Sequence, residues 1–401
     1  MEQKQRGTTP FERVCRQFSP LQQQVAHPVY GECVRDLWHD LWSHQPIPSF
    51  LEMAAYEEVA QKCEQNIFWT TLTTWCFTEQ WIRTFGEEER TFATHTKNAE
   101  RVHVFDQIYQ QVALLNEAVD HFISGIGPNV DGGDRQRVSV YDQLRLAKAL
   151  HDRPSLVEIA TWAARFKVTA RLTKKAMNVP TILKRGIRLG HAAERLVPVE
   201  YLKSDDADAE LDFMRRLSEG RATMYDYKMK KKEAKGAFVV CFDESSSMQA
   251  LDLQGKGFLV ALMALAKKER RDFIFIPFSG DVGYSDVRVF KKGRYTIKDL
   301  VDVATSYIGG GTNFEAPLKE AMRHLEQSTK NGHLLFITDG VCHIPESFIA
   351  EFNSLKRKKA FELVTLLIGY DQHPGLLPEI SDELRHIAHF EDEAGSIAFT
   401  L

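Results

Sequence analysis

Three short pieces of this chain carry hydroxyls and carboxylates at spacings that could do chemistry. They are Asp243, Ser245 and Ser247 in CFDESSSM, Thr312 in IGGGTNFEAP, and Asp339 in FITDG. All five side chains offer oxygen and nothing softer. Oxygen-only sets select hard divalent cations, and a few protein oxygens completed by water suit magnesium, which dehydrates reluctantly, with manganese as the alternative. The alternate spacing at 243, 245 and 247 lets one loop turn its side chains onto one ion, and the glycines at 309 to 311 let a second loop approach without a Cβ in the way.

Catalytic roles for the same residues lack partners. Asp243 as a phosphatase nucleophile of the haloacid dehalogenase type needs a second aspartate two positions on, where this chain has Ser245. A hydrolase elbow needs glycines beside its serine, and Ser245 is flanked by Glu244 and Ser246. His386 and His389 are three apart without a third ligand, and neither a P-loop nor a dinucleotide fingerprint occurs. The expectation is a non-enzymatic binding protein.

The elements that must position these residues follow from periodicity. After Gly236, the runs AFVVCF, FIFIPF, HLLFIT and FELVTLLIG are continuous apolar strands of the kind buried on both faces of a parallel sheet. Helix-like segments at about 254–270, 313–328 and 346–360 lie between them, and SDVRVFKKGRY reads as an edge strand. This alternation predicts a doubly wound, mostly parallel α/β sheet, whose ligands bind beyond the carboxyl ends of the strands. The region before it, residues 1–235, reads as all-α. Val102, Phe105, Ile108, Val112, Leu115, Val119 and Phe122 share one helical stripe, and NIFWTTLTTWCFTEQWIRTF reads as a core helix. Ser155 and Glu158 form a capping-box pattern, the carboxylates after Ser204 suit a helix start, and Gly220 suits a helix stop. The Gly-rich stretch 124–137 reads as a loop.

At 401 residues, two domains are expected, 1–235 and 236–401. A net charge of -4 gives no case for a nucleic-acid partner, and the basic run YKMKKKEAKG is expected to be a linker. The six cysteines show no paired spacing, and no run reaches the roughly eighteen apolar residues of a membrane span. The expectation is a cytoplasmic protein with reduced thiols.

The D-x-S-x-S pattern, the distant threonine after glycines and the aspartate of T-D-G resemble the metal-ion-dependent adhesion site of von Willebrand factor A (VWA) domains, over about residues 237–401. The resemblance implies that Ser245, Ser247 and Thr312 touch a metal directly and that Asp243 and Asp339 act through water. It leaves one coordination position for a partner's acidic side chain, and it implies movement of a last helix near 376–385 on engagement. The family usually has glycine where this chain has Ser246, which is strained if that position needs positive φ. RGIRLGHAAERLVPVEYLKSDD and FMRRLSEGRATMYDYK, together with the strand-end motif, look like CoxE-like or ViaA-type bacterial VWA proteins. That likeness implies a partnership with a MoxR-type AAA+ ATPase or its client.

Overall fold

The computed structural model describes residues 9–27, 30–45, 54–85, 98–125, 137–177, 182–202, 207–229, 236–280, 286–328, 331–340, 342, 344–369 and 374–401. Most of the expected 124–137 loop, the carboxylate run after Ser204 and most of the basic run lie outside these residues. Compactness divides the chain into Met1–Leu172 with Gly236–Leu401, and Thr173–Lys235.

The larger unit begins with α1 (Pro10–Gln17), α2 (Ser19–Val25), α3 (Gly31–Ser43), α4 (Ala54–Cys63), α5 (Ile67–Phe85), α6 (Asn98–Ile123), α7 (Val140–Asp152) and α8 (Pro154–Met177), the last running past the unit's end. The apolar stripe of α6 is buried from Ile108 to Phe122, and the side chains of Val102 and Phe105 lie outside the described residues. In α5 Thr70, Thr71, Thr73, Thr74 and Thr78 are buried, and the hydroxyls of Thr74 and Thr78 satisfy themselves on the carbonyls four residues back (2.7 and 2.8 Å). Helix α8 starts at Pro154, whose fixed φ suits the first helical position, so Ser155 stands inside the first turn and does not cap it.

In the same unit, six strands form one sheet in the order β5-β4-β3-β6-β7-β8. These are β3 (Phe238–Asp243), β4 (Phe273–Phe278), β5 (Arg288–Phe290), β6 (His333–Thr338), β7 (Glu362–Ile368) and β8 (Glu383–Ile387). All neighbours pair parallel except β5, which runs antiparallel along the edge of β4. Side chains alternate between two cores, as strand geometry requires. Phe238, Val240 and Phe242 face α11 (Asp252–Glu269) and α12 (Ile297–Thr305), whereas Val239 and Cys241 face α13 (Glu315–Gln327) and α14 (Glu346–Lys359). The segment expected to be a last helix near 376–385 is one turn, α15 (Leu377–Ile380), followed by β8.

Gly236 is where the smaller unit ends and the larger one resumes. The N-terminal helices and the α11 side of the sheet share one hydrophobic cluster. Close approach of α8 to α11 explains this: a Cβ at Gly257 would sit 2.4 Å from Trp162 Cβ, and Phe166 meets Phe258 edge-on at 5.2 Å.

The smaller unit corrects the all-α expectation. β1 (Ile182–Gly190) and β2 (Ala222–Met229) form an antiparallel ribbon, with a register shift between Lys184 and Gly186. Here α9 (Pro198–Tyr201) and α10 (Ala207–Ser218) accompany it, around a small core of Leu196, Phe213 and Ala222. Gly220 ends α10 as expected, in the left-handed region (φ +69), with Arg221 N donating to Arg216 O at 2.7 Å.

Candidate metal centre

Strand β3 leads on to β4 on one side and its neighbour β6 leads on to β7 on the other, so the connections leaving their carboxyl ends part in opposite directions. That is where an open α/β sheet leaves a crevice. Asp243 closes β3 in register with Phe278, while Thr338 closes β6 beside it.

Asp243 is fully buried, and both of its oxygens are used. Oδ1 accepts from the Ser245 amide (2.9 Å) and Oδ2 from the Thr338 hydroxyl (2.5 Å). Burial raises its pKa above the ordinary carboxylate value, the Thr338 and Ser245 bonds pull it back, and the charge of Asp339 adds to the rise. The Asp243 carboxylate therefore shapes the loop and leaves the rim to its neighbours.

The rim is a chain of oxygens. Ser245 Oγ lies 3.1 Å from Ser247 Oγ, and Ser247 Oγ donates to Asp339 Oδ1 at 2.9 Å. Ser247 is exposed and Asp339 half-buried, so the chain opens outward. Thr312 arrives from the second loop against Gly340, where an added Cβ would stand 3.4 Å from Thr312 Oγ1. Ser245, Ser247 and Asp339 thus share one rim, with Asp243 beneath them and Thr312 beside Gly340, the residue after Asp339. The donors are hard oxygens, two of them hydroxyls that now satisfy one another, which fits a magnesium-type ion held partly through water. Among the described residues, no group of three or more His, Cys, Asp or Glu side chains converges as a metal cage, at this rim or elsewhere.

Sequence reasoning did not anticipate what holds the second loop. Ser246 is absent from the positive-φ residues, so the expected strain does not arise. Its amide donates to Gly310 O and its hydroxyl accepts from Gly310 N, both at 3.2 Å. Glu244 accepts Gly309 N on its carbonyl (3.0 Å) and the Ser306 hydroxyl on its side chain (3.4 Å). Ser279, at the end of β4, lies with its hydroxyl against the carbonyls of Gly309 and Gly311, the latter at 3.0 Å. Gly310 (φ +104) has a conformation that favours glycine, and an added Cβ would press on the Ser279 hydroxyl at 3.1 Å. The strand-end rule that singled out Asp243 applies equally to Ser279, which follows FIFIPF directly.

Glu244 is buried beside the Asp252–Lys256 ion pair (2.8 Å). Burial pushes its carboxyl up to about 7; Lys256 opposes the rise and Asp252 adds to it. Its Oε2 has no hydrogen-bond partner among the described residues. No helix among the described residues is long and apolar enough to cross a membrane.

No family model matches the chain. It is similar to Uncharacterized protein MJ0811 of Methanocaldococcus jannaschii, 27% identical over 267 residues, covering 65% of this chain and 60% of that one. Uncharacterized protein MJ0077 of the same organism is 30% identical over 187 residues, 46% of each chain. This chain therefore spans about half of the length of the curated relatives it matches. Among solved structures, the pilus adhesin SpaC of Lactobacillus rhamnosus GG aligns with a TM-score of 0.31 at 14% identity, over 42% of this chain and 29% of that one. An aerotolerance-related membrane protein of Bacteroides fragilis gives 0.29 at 16%, over 41% and 95%. The RO (RSR) protein of Deinococcus radiodurans gives 0.30 at 11%, over 100% and 94%. What stands on the chain's own topology is a mixed α/β protein, with a six-stranded, mostly parallel sheet after a helix-rich N-terminal region.

Proposed function

We propose that the rim at the ends of β3 and β6 is a metal-ion-dependent adhesion site of a VWA-type domain, and that it captures an acidic side chain of a protein partner. The observation that carries this reading is the continuous oxygen chain Ser245–Ser247–Asp339, with Thr312 set against Gly340 beside it. Ser245, Ser247 and Thr312 would hold magnesium directly, with Asp243 and Asp339 behind water. When bound, the ion supplies a positive coordination position that an aspartate or glutamate completes.

The chain's own residues do the preparation. Asp243 fixes the serine loop through the Ser245 amide and ties it to β6 through Thr338. Glu244, Ser246 and Ser279 fix the loop that carries Thr312. A phosphatase reading is disfavoured by the same geometry, since a nucleophilic Asp243 would have to give up both bonds and emerge from full burial. By resemblance to CoxE-like and ViaA-type proteins, the partner is a MoxR-type AAA+ ATPase or the client it remodels.

Calorimetric titration with magnesium and manganese should give saturable heat that Asp243→Ala removes. A pull-down of the partner should fail in excess chelator; full retention there, or with Asp243→Ala, would sink the reading. A second reading, in which the chain is a scaffold that makes the contact through its N-terminal half, residues 1–235, and the rim is vestigial, has one observation behind it. In the Thr173–Lys235 unit, Ile187, Leu189 and Leu211 are 63%, 63% and 73% exposed. Absence of cation heat together with partner binding lost on Ile187→Ser would favour it.

A further inference from the structure

We infer that a second site, unrelated to the strand-end rim, binds a nucleoside phosphate between the start of α7 and the start of α12. A cavity of about 760 Å³ opens there, within the range of small-molecule sites. One wall is apolar, built by Leu146, Ile297 and Val301, and the half-buried ring of Tyr295 adds a flat surface. Against that wall stand four cations, Arg137, Arg145, Lys267 and Lys298, and a single carboxylate, Asp142.

The charge balance is the telling part. On a chain of net charge -4, this cavity gathers four positive groups against one negative. Asp142 is moreover engaged, accepting from the Ser139 hydroxyl at 2.7 Å with Arg145 at 3.7 Å. The Lys267 ammonium lies over the Tyr295 ring, 4.9 Å from its centre, so the ring holds this cation at the cavity wall. A phosphate suits the cations, and a nucleobase suits the apolar wall of Leu146, Ile297 and Val301. The helix ends themselves contribute little, because Ser139 already accepts Asp142 N (3.1 Å) and Thr296 accepts Asp299 N (3.2 Å). Recognition falls to the side chains.

The test is calorimetry on the full chain with ADP, with adenosine and inorganic pyrophosphate as separate arms. Chelator is present throughout, so the result is independent of any cation at the rim. ADP should give saturable heat and bind more tightly than either fragment. The double variant Lys267→Glu, Lys298→Glu should weaken ADP by roughly tenfold or more, as two attractive charges turn repulsive. Both lysines are exposed, and an unchanged urea midpoint checks that the variant still folds. The inference is overturned by the absence of saturable ADP heat, by ADP binding that survives the charge reversal, or by pyrophosphate or adenosine binding as tightly as ADP.

Discussion

The rim of the sheet and the Thr173–Lys235 unit handle polar and apolar groups in opposite ways. At the rim, polar side chains are buried and almost every one has a partner: Asp243 holds Ser245 and Thr338, and Ser279 holds the Gly-rich loop. In the smaller unit, apolar side chains face outward, while its buried Glu200 serves Arg216 (2.5 Å) and the Thr223 amide (3.1 Å). The ribbon is covered on one face only. Ala222 belongs to the small core and Met224, two residues on, is buried on the same face, whereas Ile187 and Leu189, two residues apart on β1, are exposed. Preorganised polar groups cost stability unless every partner is in place, so the rim depends on a large core that the smaller unit lacks.

The sharpest way to break that contrast is Phe213→Ala. The ring is a major part of a three-residue core, and its loss should cost about 3 kcal/mol or more locally. Amide exchange should accelerate within 207–229 while β3, β4 and β6 keep their protection; loss of protection in both would show that the two regions open together.

Next comes Asp243→Ala, which strands the Thr338 hydroxyl and the Ser245 amide in a buried place. The urea midpoint should fall by an amount equivalent to about 2 kcal/mol, and an unchanged midpoint would mean that the rim's bonds do not hold it together. A smaller loss, about 1 kcal/mol, is expected for Ser246→Ala, with faster exchange at the Gly310 amide. Replacing the same residue by glycine should quicken that amide equally. Equal protection in all three proteins would remove Ser246 from the loop's support.

The smallest effect is expected from Ile187→Ser, within about 0.5 kcal/mol, because an exposed side chain has little burial to lose. A clear drop in the thermal midpoint would show that this face is covered after all.

Much of the sheet was legible because both of its faces are buried. Four short apolar runs separated by amphipathic segments point to inner strands, and β3, β4, β6 and β7 lie where those runs do. The ribbon was not legible for the complementary reason. In ILKRGIRLG, a bulge at Lys184/Gly186 and an outward apolar face erase the alternation that marks a half-buried strand. Strand β8, ELRHI, is polar because it closes the sheet's edge, and it begins inside the segment where the resemblance implies a last helix. Within the candidate centre, residue types and order pointed to Asp243, Ser245, Ser247, Thr312 and Asp339. Ser246, Glu244 and Ser279 act through backbone groups of a distant loop, which no spacing along the chain can reveal.

The paired bonds between Ser246 and Gly310 bear on how the threonine loop could shift. Two contacts between the same two residues break together or not at all, since loosening one misaligns the other. Travel of Thr312 relative to the serines would then begin with a threshold and proceed as a step, giving the rim two settings in place of a continuous range.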